Sequence, residues 1–167
     1  ASQTLARLQL TRRGGTALDL GTGCGIQALR LRRLVDRVIA TDISERALRF
    51  TRLNALLNDV DGIETRLGSL FEPVGDQTFD RVASNPPFVI TPRVEGVPAY
   101  EYRDGGMEGD ALVATVIREV GAHLAPGGIA QSLGNWEYHD GESGLDRVRG
   151  WVGDGLDAWV IEREVLD

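Results

Sequence analysis

The stretch "DLGTGCG", residues 19–25, decides the fold. It follows a short apolar run, "TALDL" (16–20), and precedes Ala28, Leu31 and Val35, which are spaced three and four apart. The run reads as a strand and the spacing predicts a helix, so Gly21, Gly23 and Gly25 fill the turn between them. Glycine permits positive φ and lets a ligand approach the backbone, while the helix start offers unpaired N–H groups. In an open α/β sheet that is the strand-end crevice where ligands bind. A glycine-rich turn alone is a weak signal, because tight turns need glycine for structural reasons as well.

Outward from this turn, strands and helices alternate. A second strand is expected at "VIATD" (38–42), and Ser44 is placed to cap a helix whose buried stripe would include Ala47, Phe50, Leu53 and Leu57. Further strands fit "IETRL" (63–67) and "FDRVAS" (79–84), followed by a long irregular connection. Val113, Val116, Ile117, Val120 and Leu124 mark another helix, which "APGG" (125–128) would end before a fifth strand, "GIAQSL" (128–133). Leu145, Val148 and Val152 predict one more helix, and "AWVIEREVL" (158–166) a last strand. Such alternation predicts a mainly parallel α/β sheet with helices on both faces.

Bulk properties restrict the function. With 167 residues the chain is read as one domain. The formal net charge of −7 argues against this domain alone gripping a nucleic-acid backbone, and Arg30, Arg32, Arg33 and Arg37 read as a solvated helix face. No apolar run is long enough to span a membrane and no secretion signal opens the chain, so a cytoplasmic location is expected, with no membrane partner. Cys24 is the single cysteine, and no His, Cys and carboxylate grouping has ligand spacing, so no metal is expected.

Asp42 sharpens the glycine turn. It lies at the end of the second strand, 21 positions after Gly21, where a carboxylate can accept hydrogen bonds from both ribose hydroxyls of an adenosine cofactor. The plainer alternative is a turn or cap residue. The spacing is G-x-G-x-G and not the G-x-G-x-x-G of pyrophosphate binders. Asp19, just before the turn, would repel a pyrophosphate but suit a cation. S-adenosylmethionine carries an ammonium and a sulfonium and fits that charge; alternatively Asp19 is only tied to backbone amides.

"ALDLGTGCGIQAL", "VIATDIS" and "SNPPF" together resemble the first motif, the second motif and the (N/D)-P-P-(F/Y/W) motif of class I S-adenosylmethionine-dependent methyltransferases of the amino-methylating branch. The resemblance implies a Rossmann-like methyltransferase sheet and S-adenosylmethionine as cofactor. It places Asp19, Gly21, Thr22, Gly23 and Gly25 around the methionine end, Asp42 and Ile43 at the ribose, and Ser69 and Leu70 near adenine, with Asn85 shared between cofactor and substrate. Relatives read G-D-L-F where this chain has "GSLF", so Ser69 replaces an acid. The family's sheet ends in a hairpin whose last strand inserts beside the fifth; its absence here, or its supply by sequence outside residues 1–167, is expected, as from a piece of a longer protein.

Methylating a planar NH2 is difficult because its lone pair is delocalised. Two acceptors on the two N–H bonds would turn that lone pair toward a methyl donor and stabilise the charge developing on nitrogen. The Asn85 side-chain oxygen and the Pro86 carbonyl can serve so, with Pro86 and Pro87 fixing the corner and Phe88 offering a flat face. Asn85 is a positioning acceptor and no base.

Two clues to the substrate diverge. "RDGGMEGDAL" (103–112) resembles the D-G-G-x-D-G-L segment of HemK-like glutamine methyltransferases, which act on release factors, whereas Phe88 is commoner in RNA base enzymes. The first expectation is therefore a glutamine amide of a translation protein. An RNA adenine N6 or guanine N2 amine is the alternative, and a noncatalytic cofactor-binding module is a third. Oligomeric state is open. Arg93, Tyr100, Tyr102 and Arg103 read equally as a substrate lid or as loop packing, and Trp136 and Tyr138 as packing in preference to a pocket rim. His123 is expected to be partly covered, His139 to lie in a solvated loop, and Cys24 to be a small turn residue.

Overall fold

The computed structural model describes residues 2–87 and 109–162. Phe88, the segment with Arg93, Tyr100, Tyr102 and Arg103, and residues 163–166 lie outside them. Five parallel strands form the sheet: β1 (Thr16–Leu20), β2 (Arg37–Asp42), β3 (Ile63–Leu67), β4 (Phe79–Ser84) and β5 (Leu124–Ser132), in the order β3-β2-β1-β4-β5. The order reverses between β1 and β4, the switch point at which such sheets bind ligands.

Helices are α1 (Ser2–Leu8), α2 (Ile26–Leu31), α3 (Glu45–Leu57), α4 (Ala111–Val120) and α5 (Gly144–Arg149). Strand side chains alternate, and each face has its own core. Leu18, Leu20, Ile39 and Val82 pack with Val116 and Val120 of α4. Ala17, Val38, Ala40 and Ala83 pack with Ala28 and Leu31 of α2. The predicted layering, with helices on both faces, is the observed one.

Three expectations need correction. In α3 the buried residues are Leu48, Thr51 and Ala55, whereas Phe50, Leu53 and Leu57 are exposed. The small Thr51 lets the helix come close to the glycine turn at Gly25, a requirement that hydrophobicity counting misses. "APGG" does not end a helix; α4 stops at Val120, a 3-10 turn covers Gly121–His123, and residues 125–128 lie inside β5. There the ladder slips, with Phe79 opposite Leu124 but Arg81 opposite Ile129. Residues 158–162 form no strand, and Trp159 is 90% exposed. An apolar run with no neighbour to pair with among the described residues gains nothing from extended backbone.

Candidate functional site

Strand register brings the expected residues into one row. Leu20 at the end of β1 lies opposite Thr41 of β2 and Ser84 of β4. Gly21, Asp42 and Asn85 are therefore the next residues on three adjacent strands, which lie about 4.8 Å apart. Gly68, just past β3, joins the row by donating its N–H to the Asp42 carbonyl at 3.1 Å.

The three turn glycines have φ of 71° (Gly21), 58° (Gly23) and 85° (Gly25), the left-handed region. Their surroundings differ. A Cβ on Gly21 or Gly23 would meet nothing within 4 Å, whereas one on Gly25 would sit 2.9 Å from Thr51 Cγ2. Gly25 is thus required by packing, and the other two keep the open side of the turn bare. From α3, Thr51 donates to the Gly23 carbonyl (3.2 Å) and Asn54 to that of Cys24 (2.8 Å). Neither clamp residue is marked by the sequence motifs; the available signal is a pair of short polar side chains, Thr51 and Asn54, three apart on one face of α3.

Asp19 is 1% exposed. Its Oδ2 accepts from Thr22 Oγ1 (2.6 Å) and the Ala28 N–H (2.8 Å), and Oδ1 is buried without a partner among the described residues. Burial pushes the carboxyl up to about 7 from 3.8, against the hydrogen bonds from Thr22 and Ala28, and the Asp42 charge adds to the rise. Asp42 Oδ2 accepts from the Gly23 N–H and Oδ1 from that of Ser44, both at 2.9 Å. Each oxygen has a further lone pair, so the carboxylate ties the turn together and can still accept from a ligand. Beside it Ile43 is 44% exposed, a bare apolar side chain at the mouth. Ser69 is exposed, and Leu70 takes a φ of 46°, uncommon for a side-chain-bearing residue. Both follow β3 directly, on the same edge of the sheet as Asp42.

On the other side, Ser84 is 2% exposed; its hydroxyl donates to the Leu20 carbonyl (3.1 Å), and its carbonyl accepts from the Leu133 N–H (3.2 Å). With Ser84 tied to both neighbouring strands, Asn85 is fixed at its base. Asn85 Nδ2 donates to Ser2 Oγ at 3.1 Å, and Oδ1 is buried without a partner among the described residues. Pro86, which follows, is buried.

The set-aside residues fall elsewhere. His123 stacks on Phe71, with ring centroids 4.3 Å apart, and its Nδ1 lies 3.1 Å from the Gln77 carbonyl. His139 has 44% of its side chain exposed, beside Glu137, and Trp136 packs against the cluster of Val113, Ala114, Val148 and Trp151. No group of metal-ligating side chains occurs among the described residues, and no described helix is long and apolar enough to cross a membrane.

The family model described as "Methyltransferase small domain" matches residues 1–97, which hold the glycine turn, Asp42 and Asn85. The chain belongs to that family. Among relatives of this methyltransferase small domain, a release factor glutamine methyltransferase of Geobacter sulfurreducens is 35% identical over 122 residues, 66% of this chain and 42% of that protein. A ribosomal protein uL3 glutamine methyltransferase of Bradyrhizobium diazoefficiens is 32% identical over 128 residues, 70% of this chain and 40% of its own. The chain thus spans less than half the length of these curated relatives. A methyltransferase structure from Pyrococcus furiosus superposes with a TM-score of 0.62 at 24% identity, over 90% of this chain and 68% of that one, a likeness of fold.

Proposed function

We propose that this methyltransferase small domain is an S-adenosylmethionine-dependent N-methyltransferase whose acceptor is the side-chain amide of a glutamine in a translation protein. Residues 1–167 are read as one catalytic domain. The observation that carries the reading is Asn85 Oδ1, a buried carbonyl oxygen without a partner among the described residues, in the same row as Gly21 and one strand over from it. A buried acceptor left open costs about 1–3 kcal/mol, which a ligand N–H would recover.

The cofactor fits the residues present. Bare space over Gly21 and Gly23, the spare acceptor capacity of Asp42 and the orphaned Asp19 Oδ1 suit a cationic, ribose-bearing molecule. Asp19 and the glycine turn would hold the methionine end, Asp42 and Ile43 the ribose, and Ser69 and Leu70 the adenine. When bound, S-adenosylmethionine supplies an electrophilic methyl group. Asn85 Oδ1 and the Pro86 carbonyl would each accept one N–H of the substrate amide, turning its lone pair toward that methyl, and Phe88 would lie against the amide plane. Asn85 takes no proton; water receives it. The printed names of the relatives, release factor and ribosomal protein glutamine methyltransferases, support an amide in a protein over a nucleobase.

The test is transfer of labelled methyl from S-adenosylmethionine into cell extract, divided between nuclease and protease. Label that resists nuclease and yields to protease is expected; the reverse pattern sinks the glutamine reading in favour of RNA. Asn85→Ala is expected to abolish transfer with cofactor affinity nearly intact.

A further inference from the structure

The hydroxyl of Ser2, in the first turn of α1, touches the candidate catalytic corner across 83 positions of sequence. A terminal asparagine amide can rotate about its last torsion with little change of shape, and a hydroxyl bonded to one of its ends anchors it. Ser2 Oγ is the partner of Nδ2, and the two residues after Asn85 are prolines, which have no N–H to offer Oδ1.

Ser2 is itself held. Its backbone carbonyl accepts from Gln27 Nε2 at 2.8 Å, and Gln27 Oε1 accepts from Gln9 Nε2 at 2.7 Å. Gln27 and Gln9 are 2% and 4% exposed, so α1 is fastened at its start and just past its end by one side chain of α2. That helix begins at Ile26, immediately after the glycine turn. Gln27 thus uses both ends of its amide to hold α1, while Gln9 Oε1 is buried without a partner among the described residues.

We infer that Ser2 is a positioning residue for the proposed transfer: with its backbone carbonyl held by Gln27, its hydroxyl accepts from Asn85 Nδ2 and anchors the amide so that Asn85 Oδ1 faces the substrate amine. The inference rests on Asn85 being the amine acceptor. Without the Ser2 hydroxyl the amide loses this anchor and rotates, and molecules that turn Nδ2 toward the substrate oppose a donor to its N–H. The fault is in the orientation of Asn85, so cofactor binding is spared.

The test uses the full-length protein and labelled-methyl transfer from S-adenosylmethionine into protease-sensitive material, with S-adenosylhomocysteine affinity and Tm measured alongside. Ser2→Ala is expected to slow transfer about tenfold, the scale of one lost hydrogen bond, with S-adenosylhomocysteine affinity unchanged. Ser2→Asp keeps an acceptor and has no donor, so it is expected to restore transfer to within about threefold of the native rate. A purely structural role would leave the carboxylate as slow as alanine, and that result overturns the inference, as does a native rate for Ser2→Ala. If Ser2→Ala fails to fold, Ser2→Thr against Ser2→Val gives the same comparison between a hydroxyl and its apolar isostere. Asn85→Ala separates the two levels: full transfer by that variant defeats the functional reading itself, whereas its loss beside an unimpaired Ser2→Ala defeats the Ser2 inference alone.

Discussion

Asp19 places a carboxyl where one oxygen has two donors and the other none among the described residues. With burial holding its folded value near 7 against 3.8 for the free group, the folded state binds the extra proton between those values and the unfolded state does not. Stability from this group is therefore complete below about pH 4 and is lost as pH rises through 7. Asp19→Asn keeps an oxygen for Thr22 and Ala28 and has nothing to ionise. It is expected to unfold at higher urea than the native protein at pH 8, by on the order of 2 kcal/mol, with the gap narrowing as pH falls below 7 and closing by about pH 4. A gap independent of pH would mean that Asp19 stays charged when buried. Binding of a cofactor ammonium would oppose the same rise, so the cost at neutral pH belongs to the ligand-free turn.

At the scale of elements, the loop and α3 form one unit, because Thr51 and Asn54 hold the carbonyls of Gly23 and Cys24. Gly25→Ala adds left-handed strain of about 1–2 kcal/mol and a methyl group 2.9 Å from Thr51 Cγ2, for a total loss of about 3 kcal/mol in urea unfolding. Gly21→Ala incurs the strain alone, about 1 kcal/mol, since nothing lies within 4 Å of its Cβ; the methyl group instead enters the open side of the turn and is expected to weaken cofactor binding more than folding. β1, β3 and β4 were legible residue for residue, because β-branched runs bounded by turns carry their own signal. The face of α3 was not: Phe50 and Leu53 looked buried, but close approach to a glycine turn selects a small side chain at Thr51. In the site, Asp42 and Asn85 were visible as motif letters. Thr51, Ser84, Gln27 and Ser2 were not, since each acts through a hydrogen bond to something distant in sequence.

For the whole molecule, the row formed by Gly21, Asp42 and Asn85 crosses the switch point, with Asp42 on the β2 side and Asn85 on the β4 side of β1. A ligand seated on that row touches residues from both halves of the sheet, so its binding energy adds to global stability and not to a local loop. At a hundred times its Kd, S-adenosylhomocysteine would add about 2.7 kcal/mol. In a domain of this size that corresponds to a Tm rise of roughly 5–10 °C. The two sides of the row contribute differently. Asp42→Ala removes the proposed ribose acceptor and also frees the Gly23 and Ser44 N–H groups, so its ligand-free Tm should fall and its ligand-induced rise should shrink to a small fraction of the native one. Asn85→Ala leaves the turn untouched and should keep most of the rise. Thermal unfolding of each variant with and without S-adenosylhomocysteine checks this, each compared with its own ligand-free state. An equal rise in both variants would place the ligand off the row, because a molecule bound across β2 and β1 must lose more from Asp42 than from Asn85.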